Sequence, residues 1–174
     1  VTNTTGGNNV AVGKESLKLN TTGANNVSVG VATLVENNGD YNTAIGYQTL
    51  NANTTASNNT AVGKHALSVN TTGASNVAVG VNALDANTTA SQNTAIGTSA
   101  LSANTDGTYN TAVGANAMLV NTTADQNTAV GALAMDANTT GANNTALGTS
   151  ALGANTTASN NTAIGTNALI LNTT

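Results

Sequence analysis

The sequence predicts an all-β chain, a parallel β-solenoid or β-roll of ten coils of about 17 residues each. Three observations predict it. A Gly recurs at fixed spacing along the whole chain, two further positions of every repeat hold nothing but Asn, and short apolar runs alternate between them. The Gly stands at Gly13, Gly30, Gly46, Gly63, Gly80, Gly97, Gly114, Gly131, Gly148 and Gly165, each 17 residues after the last except for one step of 16. Identity of this kind within one chain means that every unit meets the same surroundings as the next, which stacked coils provide.

The first element of a coil is the run before the Gly. In "NVAVG" and "NTAIG" β-branched residues alternate with a small one, so Val62, Val79, Ile96 and Val113 fall on one face of a short strand. That face is expected to point inward. The Gly then forms a corner, through a positive φ or a close approach of neighbouring coils. A second short strand is expected after it, with Leu67, Leu84, Leu101 and Met118 in one inward column and Val69, Ala86, Ala103 and Val120 in another. Charged residues avoid all of these columns except for Glu36, which sits in the one shortened unit. A helical reading is weaker, because Gly and Asn-Thr-Thr break the chain every few residues.

The coil closes at Asn-Thr-Thr. Asn tolerates left-handed backbone and bonds nearby amides, so it suits a corner, and stacked copies can join in a ladder of side-chain amides. Two ladders are expected: Asn59, Asn76, Asn93, Asn110 and Asn127 before the strand, and Asn70, Asn87, Asn104, Asn121 and Asn138 at the corner. In the shortened unit Asn37, Asn38 and Gly39 replace the usual corner and absorb the missing residue in a turn. At ~4.8 Å per coil, ten coils make a rod roughly 50 Å long.

Composition narrows the function. There is no Pro, Cys, Trp or Phe, only 6% of residues are charged, and the net charge is −4 with 3 basic residues. An aromatic core is excluded, and nucleic acid or an anionic membrane surface would need a basic footprint that is missing. No apolar run is long enough for membrane insertion, and no charged-then-apolar leader opens the chain. The absence of cysteine fits any compartment.

The phrases "NVAVG" at Asn76 to Gly80 and "NTAIG" at Asn93 to Gly97 resemble the repeats of YadA-type heads of trimeric autotransporter adhesins. The longer unit "NTAVGxxALxxNTT" is similar to repeats of phage tail fibres, and the likeness covers all ten units. The resemblance implies a left-handed β-roll, three chains packed into a trimeric shaft, and an extracellular place at a cell or virion surface. Partners would then be identical chains, as a trimer or an end-to-end polymer, with a cell-surface receptor or glycan at the far side.

No chemistry-bearing constellation stands out. His65 is the single His, lies beside Lys64 and has no acid in its own unit, so it reads as a solvated surface residue. Asp40, Asp85, Asp106, Asp125, Asp136 and Glu36 are scattered singly, whereas a calcium loop groups several oxygens in one short segment. Neither an enzyme, nor a metal, nor a cofactor is expected. The Asn-Thr-Thr triplets are glycosylation sequons, so Asn70, Asn87, Asn121 and Asn138 are candidate glycan sites as well as corners. A structural and adhesive fibre segment is the leading function. An ice-binding solenoid is the alternative, its Thr ladders drawn from Thr71, Thr88 and Thr122 or from Thr72, Thr89 and Thr123 at the corner. A polysaccharide-active enzyme would need paired carboxylates on one face, and no acid repeats in one column. With side chains this small, a lone chain is expected to bury too little apolar area, so residues 1–174 read as one uncapped stretch of a longer fibre.

Overall fold

A computed structural model describes residues 3–173; Val1, Thr2 and Thr174 lie outside the described residues. Ten strands form one parallel sheet in sequence order. They are β1 (Val10–Val12), β2 (Val27–Val31), β3 (Thr43–Tyr47), β4 (Thr60–Val62), β5 (Val77–Val79), β6 (Thr94–Ile96), β7 (Thr111–Val113), β8 (Thr128–Val130), β9 (Thr145–Leu147) and β10 (Thr162–Ile164). Equivalent residues stack: Thr60 pairs with Val77, Ala61 with Ala78 and Val62 with Val79. Each strand returns to its neighbour after one circuit of the chain, so the fold is a β-solenoid with a coil of about 17 residues, and no helix occurs among the described residues.

Each described coil carries one strand, not two. The segment after the Gly is a pair of tight turns: Ala66 N–H donates to Gly63 O at 3.4 Å and Asn70 N–H to Leu67 O at 3.3 Å. His65 and Leu67 both take left-handed backbone, with φ of 60° and 50°. Two such residues so close together bend the chain too sharply for a strand. The turns still join the stack, since Leu67 N–H donates to Ala83 O of the next coil at 3.0 Å. The expected inward column at Val69 and Val120 is therefore corrected: both are exposed, Val69 by 42%. With that column facing out, exposed Glu36 is no longer an exception.

The strand's inward face is also the reverse of the one expected. Ala61, Ala78, Ala95 and Ala112 are fully buried, Val62, Val79 and Val113 are half-buried, and Ile96 is 40% exposed. Alternation separates two faces but does not say which one is inside. The narrow interior decides it, because one coil already encloses Leu67, Ala66, Asn59 and Asn70 beside Ala61. Leu67, Leu84, Leu101 and Met118 are buried as expected. This Leu/Met column holds φ between 46° and 52° throughout. Left-handed backbone costs about 1–2 kcal/mol for a non-Gly residue, while full burial of Leu or Met contributes about 1.5–3 kcal/mol. The filled interior outweighs the strain.

Both reasons offered for the Gly corner hold at Gly80. Its φ is 142°, and an added Cβ would lie 2.4 Å from Gly97 O in the next coil. The shortened coil keeps the stack intact by substitution. Elsewhere Thr71 N–H donates to Thr88 O, a backbone carbonyl, at 2.9 Å. At the deletion the side-chain oxygen of Asn38 takes that role, accepting from Thr21 N–H at 2.9 Å and Thr22 N–H at 3.2 Å. Where interior Ala is replaced, Ser16, Ser28 and Thr33 bond one another: Ser16 Oγ lies 2.7 Å from Ser28 Oγ, which lies 2.6 Å from Thr33 Oγ1.

A second period runs through the corner. The residue three after the corner Asn alternates as Gly73, Ala90, Gly107, Ala124, Gly141 and Ala158. A Cβ on Gly73 would meet Ala90 O at 2.3 Å, and one on Gly107 would meet Ala124 O at 2.4 Å. Each Ala coil also carries an acceptor for the Gly coil before it: Ser91 Oγ accepts from Ala74 N–H at 3.0 Å, and Asp125 Oδ1 from Thr108 N–H at 2.6 Å. From Gly39 to Ala158 coils thus come in unlike pairs, a tight Gly coil seated on an acceptor-bearing Ala coil, whereas the corners before them, Gly6 and Gly23, are both Gly.

Candidate functional surface

The two Asn columns form the ladders the sequence predicts. At the corner Asn87 Nδ2 donates to Asn70 Oδ1 at 2.8 Å, and Asn104 Nδ2 donates to Asn87 Oδ1 at 3.2 Å. Asn121 continues to Asn104 and Asn138 to Asn121, both at 3.0 Å. Before the strand the ladder alternates side chain and backbone: Asn59 Oδ1 accepts from Asn76 N–H, and Asn76, Asn93 and Asn110 serve Asn93, Asn110 and Asn127 likewise. The ladders meet inside each coil, where Asn76 Nδ2 and Asn87 Nδ2 both donate to Ala90 O, at 2.9 and 3.0 Å. Buried polar groups are stable only when paired, and among the described residues no buried side-chain N or O lacks a partner. Asn70, Asn87, Asn121 and Asn138 are fully buried, so in the folded coil these sequons are corners with no amide free for a glycan.

The Thr-Thr pair divides its labour. Thr71 Oγ1 donates to Thr88 O at 3.0 Å, and Thr139 Oγ1 to Thr156 O at 3.0 Å, while Thr72, Thr89 and Thr123 are exposed. The first column is thus spent on the ladder, and the second stands alone on a bend of the chain. The outer face of the sheet is the broader surface. On β5 it shows Val77 and Val79, and from β6 onward it sets Thr94, Thr111, Thr128, Thr145 and Thr162 beside Ile96, Val113, Val130, Leu147 and Ile164. A flanking column adds Val81, Thr98, Ala115, Ala132, Thr149 and Thr166. Lys14, Tyr47 and Lys64 occupy that flank only in the earlier coils.

Titratable groups do not converge. His65 meets an acid after all, from the next coil: burial pushes the Asp85 carboxyl up from its ordinary value, while a backbone hydrogen bond and the nearby His65 pull it down. The Tyr47 and His65 rings lie 5.7 Å apart at 41°. Burial likewise raises Asp136. Lys18 and Glu15 form an exposed pair at 3.3 Å. Among the described residues there is no pocket, no group of acids, His or Cys that could hold a metal, and no helix long and apolar enough to cross a membrane. No family model matches the chain, and neither a curated protein nor a solved structure matches it. The likeness to adhesin heads and tail fibres therefore rests on the repeat phrases.

Proposed function

We propose that this chain is a shaft segment, a stiff rod that sets a distance and presents a repeating surface at the outside of a cell or virion, where it serves adhesion or host attachment. The observation that carries this reading is the unbroken, in-register ladder from β1 to β10, reinforced inside by two rows of Asn. Such a stack has no hinge, since every coil is tied to both neighbours through backbone and side chain. A catalytic reading has neither a pocket nor converging titratable groups to support it. Identical chains are the partners that suit a rod: β1 and β10 each have one sheet neighbour, and a further coil, from the same chain or another, would meet the same pattern of donors and acceptors.

The test fuses a compact reporter domain to each side of the chain and measures their separation in electron micrographs. Ten coils at ~4.8 Å should hold the reporters a narrow ~50 Å apart. A broad spread of distances overturns the shaft. Gold labelling of intact source cells or virions should mark their surface, and labelling confined to the interior overturns the location.

A further inference from the structure

We infer that the outer face of β5–β10 binds ice. The hydroxyls of Thr94, Thr111, Thr128, Thr145 and Thr162 have no hydrogen-bond partner within the described chain, unlike those of Thr71 and Thr139, which are tied to carbonyls. Each free hydroxyl can donate one bond and accept two. Beside them Ile96, Val113, Val130 and Leu147 supply a row of aliphatic groups, and the flank from Val81 to Thr166 stays small and uncharged. Parallel pairing in register repeats this set at ~4.8 Å along the stack, with the Thr and aliphatic columns ~6.6 Å apart along each strand and the flank beyond the Gly corner.

A regular, pocket-free array of hydroxyls and methyls fits a partner that is itself a lattice. One Thr holds one water weakly, but many sites fixed at lattice spacing engage together, so their contributions reinforce one another. Charged groups would impose hydration of their own, and none stands in these three columns from β5 on. A second copy of the chain is a poorer occupant. Dry burial would leave a row of hydroxyls in need of partners. Ice binding places the Thr ladder on the sheet and not at the Asn-Thr-Thr corner. It is independent of the shaft reading, and a shaft with such a face would attach its bearer to ice.

The test freezes a dilute solution of the chain slowly, measures the fraction taken into the ice, and records thermal hysteresis on single crystals. The chain should enter the ice and hold its growth below the melting point. Thr111→Lys and Thr145→Lys, on the face, should lose both effects, while Thr123→Lys, at the exposed corner, should retain them. Circular dichroism melts identify which variants are folded. The inference is overturned by exclusion of the parent chain from ice, by retention of activity in both folded face variants, by equal loss at the corner, or by a stable oligomer that buries the face. Failure here with reporters still held ~50 Å apart would leave the shaft standing.

Discussion

Replacing Asn87 by Ala should cut the corner ladder at its middle. Asn87 Nδ2 donates to Asn70 Oδ1 at 2.8 Å and to Ala90 O at 3.0 Å, and Asn87 Oδ1 accepts from Asn104 Nδ2 at 3.2 Å. Three bonds at ~1 kcal/mol each amount to ~3 kcal/mol. The groups left behind differ. Ala90 O keeps Asn76 Nδ2, and Asn104 Nδ2 keeps Gly107 O, but Asn70 Oδ1 loses its donor inside the coil. An orphaned buried acceptor adds ~1–3 kcal/mol, giving ~4–6 kcal/mol in all, a large part of the ~5–15 kcal/mol that holds a typical domain folded. Urea titration followed by circular dichroism measures this, with Thr72→Ala at the exposed corner as the control, expected within about 0.5 kcal/mol of the parent. A loss below ~1 kcal/mol for Asn87→Ala would refute the reasoning, since no single bond would then be contributing its ordinary share.

Asn87→Asp should add a pH signature: its carboxylate would face Ala90 O and Asn70 Oδ1, so the folded pKa rises above the unfolded value and stability, highest in acid, falls as pH increases; a flat titration from pH ~3 to ~7 contradicts this. Asp85 and Asp136 have the same sign, because burial raises both; Asp85→Asn and Asp136→Asn should melt higher than the parent at neutral pH and no higher well below the usual carboxylate range. Leu101→Ala should cost about 2–5 kcal/mol, whereas Val113→Ala on the outer face should cost far less, and similar losses at both would reverse the assignment of faces. Gly165→Ala measures positive φ alone, since its φ is 122° and nothing lies within 4 Å of the added Cβ. Gly80→Ala adds the clash with Gly97 O, so it should lose more than the ~1–3 kcal/mol of backbone strain, and equal losses would remove the close-approach argument.

The coil length and the two Asn ladders were legible because each recurs in ten coils with a single step of 16 among steps of 17, and the corner because Asn-Thr-Thr recurs in all but the Asn37 and Asn104 coils. The inside and outside of the strand were not. Period-2 alternation marks Val62 and Ala61 as facing opposite ways, and assigning the larger aliphatic to the interior presumes a wide core. This coil is too narrow for that, and its volume is taken by Leu67 and two Asn. The second strand failed for a local reason, since nothing in a Leu suggests left-handed backbone, which it adopts only because burial outweighs the strain. Pairing of coils was in plain view as the alternation of Gly73 with Ala90 and of Gly107 with Ala124, and a repeat search with a period of two coils would have found it. The free Thr row on the sheet became visible only once Ala95 and Ala112 were seen to point inward.

Small-angle X-ray scattering on the chain and on a version with two central coils duplicated, Asn76 to Tyr109, tests the stacked solenoid most directly. The duplication preserves the Gly–Ala alternation, and each coil contributes one rise of the ladder. The maximum dimension should grow by ~9.6 Å while the cross-section stays unchanged. Growth of the cross-section, or a radius of gyration that follows the ~0.38 power of length typical of compact domains, would contradict the account.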